Sequence, residues 1–373
     1  MSGDRQDQRV GEGATAIQAG NDVHIHQGVS ATQIAEILQV NMQMIEQYRL
    51  EARDEVKRRL GDFEDKMQKQ FADHQSSNSE SFKDPDFQYV VHEAQKAYVR
   101  TADEDVGETL VKLLAQRSLI KDRNISSLVL NEAIEVAGKV AKPELSMLSL
   151  AFMLYYVQYQ ITDPNLILGA LSRSINKFID DISLGDSSYG YLAGLGCLTI
   201  ENFVSREIPQ VLTAMYSGAF NAGFNVNELK AALDGDADAV QLAFKELIGA
   251  NGIFSSLFTL ANPGASLSPT EIMNVRYKFR FPNAAALSAE IERLNIKKWE
   301  ANILGLQANN AWPSGQIVDE LKMVVPKFDK LEHIFDKTNF KKITLTAKGI
   351  ALAHSNARQA LSDFSGPLSI WIN

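Results

Sequence analysis

Two histidines, His24 and His26, stand two residues apart in a stretch that alternates like a β-strand. Alternation places both imidazoles on one face of a strand, a spacing that a metal ion can use. No cysteine or second histidine pair lies near in sequence to complete a site. The pair is therefore interpreted as two solvated histidines opposite Val23 and Ile25, and no metal is expected.

Three aspartates, Asp234, Asp236 and Asp238, have the spacing of the first, third and fifth ligands of a calcium-binding loop. That loop also needs glycine at its sixth position and glutamate at its twelfth. The chain has Ala239 and Lys245 there. The pattern instead predicts a helix N-cap, with acidic residues in the first turn where they complement the helix dipole.

The sequence motifs of known catalytic sites are incomplete in this chain. The glycines between Gly190 and Gly196 are not followed by Lys-Ser or Lys-Thr, and their order does not fit a dinucleotide fingerprint. His92-Glu93 lacks the second histidine of a zincin helix, and no G-x-S-x-G elbow is present. Cys197 is interpreted as a buried, small apolar residue. No enzyme and no cofactor are therefore expected, with a hydrolase site assembled from distant residues as an alternative.

Composition limits the classes of partner. The 373 residues include 37 Lys and Arg against 46 Asp and Glu, a formal net charge of −9, which disfavours general affinity for nucleic acid. One cysteine excludes an intramolecular disulfide and suits a reducing compartment. Residues 1–10 are polar and lack the apolar stretch of a signal peptide, so a cytoplasmic protein is expected.

Apolar residues at helical spacing predict a mainly α protein: a multi-helix bundle with a short N-terminal β-hairpin or arch and a small C-terminal α/β cap. We divide it into a flexible start with a β-type assembly segment (1–29), a helical body (30–281) and a C-terminal unit (282–373). A long helix is predicted from Ser30 to Phe71, as a packed bundle helix and not a regular coiled coil. Further helices are predicted over 87–100, 103–118, 126–140, 143–161, 164–181, 203–219, 227–232, 237–249 and 270–276, with residues 185–190 as a loop.

The C-terminal unit is predicted to hold a helix over 317–335 with a break at Pro326, a strand over 342–345, a helix over 346–364 and a closing strand over 368–372. The strand-to-helix corner resembles that of many winged-helix domains. Lysines around it, Lys341, Lys342 and Lys348, are candidate nucleic-acid contacts. The alternative is a purely structural α/β cap.

Three stretches, 145–162, 208–227 and 247–270, contain no charged residue. The first is near the length of a membrane span, but it carries two glutamines and is flanked by Pro-Glu and Asp-Pro. Buried helices of a large core explain all three. Conditional membrane insertion is the alternative.

Several stretches resemble an uncharacterised bacterial family whose members begin with an IQAG-x-DVxI segment and continue as an all-helical body. The resembling stretches are IQAGNDVHIHQG at 17–28, DPDFQYVVHEAQKAYVR at 84–100, NEAIEVAGKV at 131–140 and YLAGLGCLTI at 191–200. The resemblance covers most of the chain, is loose after about residue 205, and implies an architecture without an activity.

The start of the segment, Ile17-Gln18-Ala19-Gly20, also resembles the V/I-Q-x-G core of bacterial amyloid-type signalling motifs and of the RIP-homotypic interaction motif. Short β-prone segments with a glutamine ladder stack in register and satisfy every backbone group from neighbouring copies. A β-hairpin that caps the helical body, or exchanges strands within a small oligomer, is the alternative interpretation.

These observations favour a non-enzymatic protein that self-assembles through residues 14–28 as a homo-oligomer. The expected assembly contacts are Ile17, Gln18, Gly20, Val23 and Ile25. The resemblance to signalling motifs implies a role in phage defence or immune-type signalling. A nucleic-acid-binding or regulatory protein using the C-terminal unit is the alternative from another class.

Overall fold

The computed structural model describes residues 31–72, 77–183, 185–248, 253–254 and 275–372. The protein is mainly α, as predicted. Its helices are α1 (Ala31–Phe71), α2 (Pro85–Thr101), α3 (Glu104–Ser118), α4 (Ile125–Ala137), α5 (Lys142–Tyr155), α6 (Pro164–Phe178), α7 (Ser187–Gly194), α8 (Ile208–Met215), α9 (Val226–Ala232), α10 (Ala237–Leu242, continued as a π-helix over Ala243–Ile248), α11 (Ala284–Arg293), α12 (Glu300–Asn309), α13 (Ser314–Val324), α14 (Phe328–Lys337) and α15 (Ala347–Ala360).

Helix starts follow the expected capping chemistry. Asp163 accepts a hydrogen bond from the backbone N–H of Asn165, while Pro164 occupies the first turn of α6. Proline is tolerated there because its missing N–H would have no intrahelical partner. Pro143 takes the same place in α5. The break predicted at Pro326 is also confirmed, because α13 ends at Val324 and α14 begins at Phe328.

The chain separates into two compact units, Met1–Arg58 and Arg59–Asn373. In the larger unit, most buried apolar residues form one hydrophobic cluster that runs from Phe63 to Ile372. A second cluster is built by α9, α10, α11 and α12, with Leu229, Leu287, Ile291 and Ile303 wholly buried.

Helix α5 lies in the middle of the first cluster. Every residue of Leu145–Leu154 is buried, and the helix packs against α15, which is itself buried without interruption from Gly349 to Ala357. The uncharged stretch that begins at residue 145 is therefore a core helix, as predicted. None of the helices within the described ranges is long and apolar enough to cross a membrane.

Two short antiparallel strand pairs accompany the helices. Strand β1 (Leu198–Ile200) pairs with β4 (Ile343–Leu345), with Leu198 opposite Leu345. Strand β2 (Ile253–Phe254) pairs with β3 (Arg276–Tyr277). The strand predicted at 342–345 is thus confirmed, but its partner lies almost 150 residues earlier in the chain.

The closing strand predicted over 368–372 is wrong. Leu368–Ile370 is a 3₁₀ turn that follows Pro367, and the Trp371 side chain turns inward to donate its indole N–H to the Tyr156 carbonyl at 2.8 Å. Leu368 and Ile372 pack against the core, whereas Ile370 is 60% exposed, so the alternating residues do not share one buried face. Of the two strands expected around a helix in the C-terminal cap, β4 is therefore present, and the closing strand is absent from the described residues.

Residues 282–373, predicted as one C-terminal unit, contribute to both clusters. Helices α11 and α12 complete the second cluster, whereas α13, α14 and α15 pack in the first. Neither α11 nor α12 was predicted.

Other predicted elements differ in their bounds. The predicted loop at 185–190 lies partly inside α7, and the predicted helix over 203–219 is shorter in the structure, where it is α8. In the predicted helix at 270–276, Arg276 belongs to β3 and residues 270–274 lie outside the described ranges.

The close approach of α15 to β1 gives a stability prediction. A Cβ added to Gly349 would lie 1.9 Å from the Cys197 carbonyl oxygen. Gly349→Ala must therefore shift backbone in the core, and we expect it to lower the free energy of unfolding by about 2 kcal/mol or more. Urea unfolding measures this loss. The matched control is Gly305→Ala within α12, where no atom lies within 4 Å of the new Cβ; it should raise stability by about 0.5–1 kcal/mol. Equal stabilities for the two variants would contradict the packing described.

A second prediction concerns pH. His354 is wholly buried among Phe152, Phe364 and Trp371. Its Nε2 donates to the Gly366 carbonyl at 2.7 Å, while its buried Nδ1 has no hydrogen-bond partner among the described residues. Burial lowers the pKa of this imidazole from 6.5 to about 4. A folded pKa below the unfolded value means that the stability from the neutral ring is present above pH 6.5 and is lost as pH falls towards 4.

Between pH 6.5 and pH 5 we expect this histidine to lose about 1.5 kcal/mol of stability. Urea unfolding at both pH values should show that loss in the parent and not in His354→Gln. The exposed His333 provides the control, since His333→Gln should keep the parental pH dependence. A parental pH dependence in His354→Gln would contradict the assignment.

Candidate assembly surface

The predicted assembly residues lie outside the described residues. Ile17, Gln18, Gly20, Val23 and Ile25 all precede Ala31, where the description begins, as does the histidine pair of residues 24 and 26. Their role in assembly stays a prediction.

Helix α1 carries large apolar side chains on its surface within the smaller unit. Met42, Ile45, Tyr48 and Val56 are 71%, 63%, 57% and 45% exposed. Spacings of three, three and eight residues place these four on one face of a helix with 3.6 residues per turn. We call this set the α1 stripe. Covering such side chains is worth roughly 1 kcal/mol or more each, so the stripe is a surface that gains free energy when it is buried.

The charged residues of the same region form pairs along the helix, and Arg49, seven residues from both Met42 and Val56, lies on the face of the stripe. Glu46 and Arg49 lie 2.8 Å apart and Glu55 and Arg58 lie 2.7 Å apart, each pair one helical turn apart. Such pairs contribute about 0.2–0.5 kcal/mol each to helix stability. Because both signs of charge occur along the helix, two copies of it can meet without net repulsion.

The C-terminal part of α1 is packed. In the larger unit, the Phe63 ring lies 5.3 Å from that of Tyr98, and the Lys66 ammonium lies 2.5 Å from Glu104 and 3.3 Å from Glu108. The hydrogen bond that Lys66 donates to Glu104 raises the pKa of Lys66, because it favours the charged ammonium. The sequence-based prediction of a packed bundle helix therefore holds from Phe63 onward, but the side chains of the stripe are exposed.

Two of the three candidate nucleic-acid lysines already form ion pairs with carboxylates. Lys341 lies 3.0 Å from Glu207 and Lys348 lies 3.5 Å from Glu132, and the two lysine side chains are only 22% and 17% exposed. Lys342 is half-buried. A carboxylate beside a lysine offsets the charge that a phosphate backbone would need, so this corner is a weak platform for nucleic acid.

The acidic triple is a helix start, as predicted. Asp236 accepts a hydrogen bond from the Ala239 N–H at 3.0 Å and caps α10. Asp234 accepts the indole N–H of Trp299 at 2.9 Å, so its carboxylate holds two segments together. Within the described ranges, no three His, Cys, Asp or Glu side chains are grouped closely enough to hold a metal ion.

Cys197 is a core residue, as predicted. The side chain is wholly buried, and burial raises the pKa of its thiol from 9.0 to about 11. A thiol is a poor nucleophile while it stays protonated. Cys197 therefore serves packing beside Gly349 and does not point to nucleophilic catalysis.

Comparison with known proteins shows the family. A family model with the description “:-like”, which names no activity, matches residues 28–372, and the chain therefore belongs to that family. The match begins after Ile25, so the predicted assembly residues precede it. No curated protein and no solved structure matches the chain.

Proposed function

We propose that this family member is a non-enzymatic protein that self-associates through its N-terminal region. The observation that carries the proposal is the α1 stripe, an exposed apolar face that extends over four turns of helix. Exposed apolar patches that follow one helix face are typical of helix–helix interfaces. Residues 31–58 of α1 span about 42 Å at 1.5 Å per residue, enough for a stable pairing between copies.

In this proposal two elements act together. The stripe pairs α1 with α1 of a second copy, and residues 14–28, which precede α1, add strands that stack between copies. Neither element is stable alone, because two short strands and a single exposed helix each bury too little apolar surface. Each therefore needs other copies of the chain, which makes the assembly cooperative.

A role in phage defence or immune-type signalling is part of the proposal. It rests on the resemblance of residues 17–20 to the cores of amyloid-type signalling motifs. The acidic chain and the paired state of Lys341 and Lys348 support assembly over binding to nucleic acid. We place this assembly in the cytoplasm, because a single cysteine suits a reducing compartment.

The mass of the protein in solution tests whether the α1 stripe mediates association. Light scattering of the full chain at several concentrations should give an oligomer of the 41.3 kDa protein. Ile45→Glu with Val56→Glu places charge in the stripe and should shift the mass to the monomer. The matched control is Val40→Glu with Leu50→Glu, since these residues are 54% and 52% exposed but lie on the opposite face. A monomeric parent, or equal masses for the two double variants, would overturn the role of the stripe.

The N-terminal segment is tested separately. Gln18→Glu places like charges one above another in a stacked ladder, so we expect it to shift the concentration at which the oligomer forms by tenfold or more. Circular dichroism should show an unchanged helical body. Gln8→Glu, before the segment, is the control and should associate like the parent. Parental association of Gln18→Glu would restrict assembly to the stripe.

A further inference from the structure

A cleft of about 430 Å³ opens in the larger unit between the two hydrophobic clusters. Its lining includes Trp312, which packs against the first cluster, and Phe279, which belongs to the second. Its lining comes from three distant stretches of chain, which are 162–165, 278–280 and 312–320. Clefts where two cores meet are common places for small-molecule sites.

Lys278 is one of the residues that line this cleft. Its residue is only 7% exposed, and its ammonium donates a hydrogen bond to the Ala219 carbonyl at 3.1 Å. Burial lowers the pKa of this ammonium from 10.5 to about 8, and the nearby Asp163 carboxylate opposes part of that shift. A buried ammonium costs free energy that a methionine of similar length would not. Its position beside an open cavity gives it a use, which is to attract an anion.

Trp312 offers a flat surface beside that charge. Its ring is fixed edge-on to Phe220 at 5.6 Å, and the Lys278 ammonium lies 5.9 Å from its centroid. Across the part of the chain that the structure describes, the Trp312 indole N–H donates no hydrogen bond. The ring therefore presents both an apolar plane and a spare donor.

Arg280 supplies a second cation at the cleft, and Glu320 an acceptor. The guanidinium is 3.8 Å from Glu290 and lies over the Phe281 ring, yet the side chain is still 43% exposed. Glu320 has no ion pair within the described ranges. The lining holds two cations, an aromatic plane and two carboxylates, of which Asp163 caps α6 and Glu320 is left to face a ligand. This set matches a ligand that combines an acidic group, a ring and a hydroxyl or amino group.

We propose that this cleft binds a small organic anion that carries a planar ring. The acidic group lies between Lys278 and Arg280, the ring stacks on Trp312, and Glu320 accepts from a polar substituent. The volume admits one ring system with a single acidic group and excludes a polymer. This site is independent of the proposed self-association, because none of its residues belongs to α1 or to the segment before it.

Isothermal titration of the full chain tests the proposal. The probes are adenosine 5′-monophosphate and benzoate as ringed anions, uncharged adenosine, and inorganic phosphate. At least one ringed anion should bind one per chain, tenfold or more tightly than adenosine and phosphate. Binding of the monophosphate alone would assign the acidic group as phosphate, and binding of benzoate alone as carboxylate. Failure of both ringed anions to bind, or equal binding of phosphate, would overturn the proposal.

Variants locate the bound probe. Lys278→Met and Arg280→Gln should each weaken binding tenfold or more, and Arg280 is exposed enough that its change leaves the fold intact. Lys245→Met is the control, since Lys245 is a 77% exposed lysine that is not part of the lining, and it should bind like the parent. The double variant at Ile45 and Val56 should also bind like the parent, which separates this test from that of assembly. Undiminished binding by Arg280→Gln would place the ligand elsewhere.

Discussion

The packing of α5 against α15 is the contact on which the rest of the larger unit depends. Neither helix has a solvent-facing side over Leu145–Leu154 or Gly349–Ala357, so neighbouring elements must cover both all round. Polar side chains of α15 find partners in two helices: Asn356 donates to Ser149 of α5 at 2.8 Å, and Ser355 donates to the backbone carbonyl of Thr109 in α3 at 3.2 Å. Because the partners are about 200 residues apart, the core closes only when the C-terminal helix is in place.

Local rules predicted most helices but not their partners. Aspartate caps and first-turn prolines mark starts from residues two or three positions apart, so Asp163 and Pro164 suffice to place α6. No local sequence pattern predicts the pairing of β1 with β4, since each strand has three residues and the two strands lie far apart in the chain. The turn at 368–370 shows the converse, because its alternating apolar residues fit a strand, yet they form a 3₁₀ turn in which Ile370 is 60% exposed.

Only part of the candidate surface could be predicted from the sequence. Val56 and Met67 have the same apolar character and the same helical spacing, and the pattern predicted packing for both. In the structure Met67 is 8% exposed and Val56 is 45% exposed. Amphipathic spacing predicts that the apolar face of a helix is buried, but it does not predict whether the same chain or another chain buries it. The cleft at Lys278 was missed for a related reason, because its three lining stretches are each unremarkable alone.

The stripe and the cleft are both places where the chain gives up stability. An apolar face in water and an ammonium in the core each cost free energy that Ser or Glu on the surface, or Met in the core, would avoid. In the rest of the larger unit, caps, core packing and ion pairs agree with one another, and such consistency is what specifies a fold. A residue that lowers stability within an otherwise consistent fold marks a position where the residue type serves something other than folding. In this chain that reasoning selects Ile45 and Val56 for contact between copies, and Lys278 for a ligand.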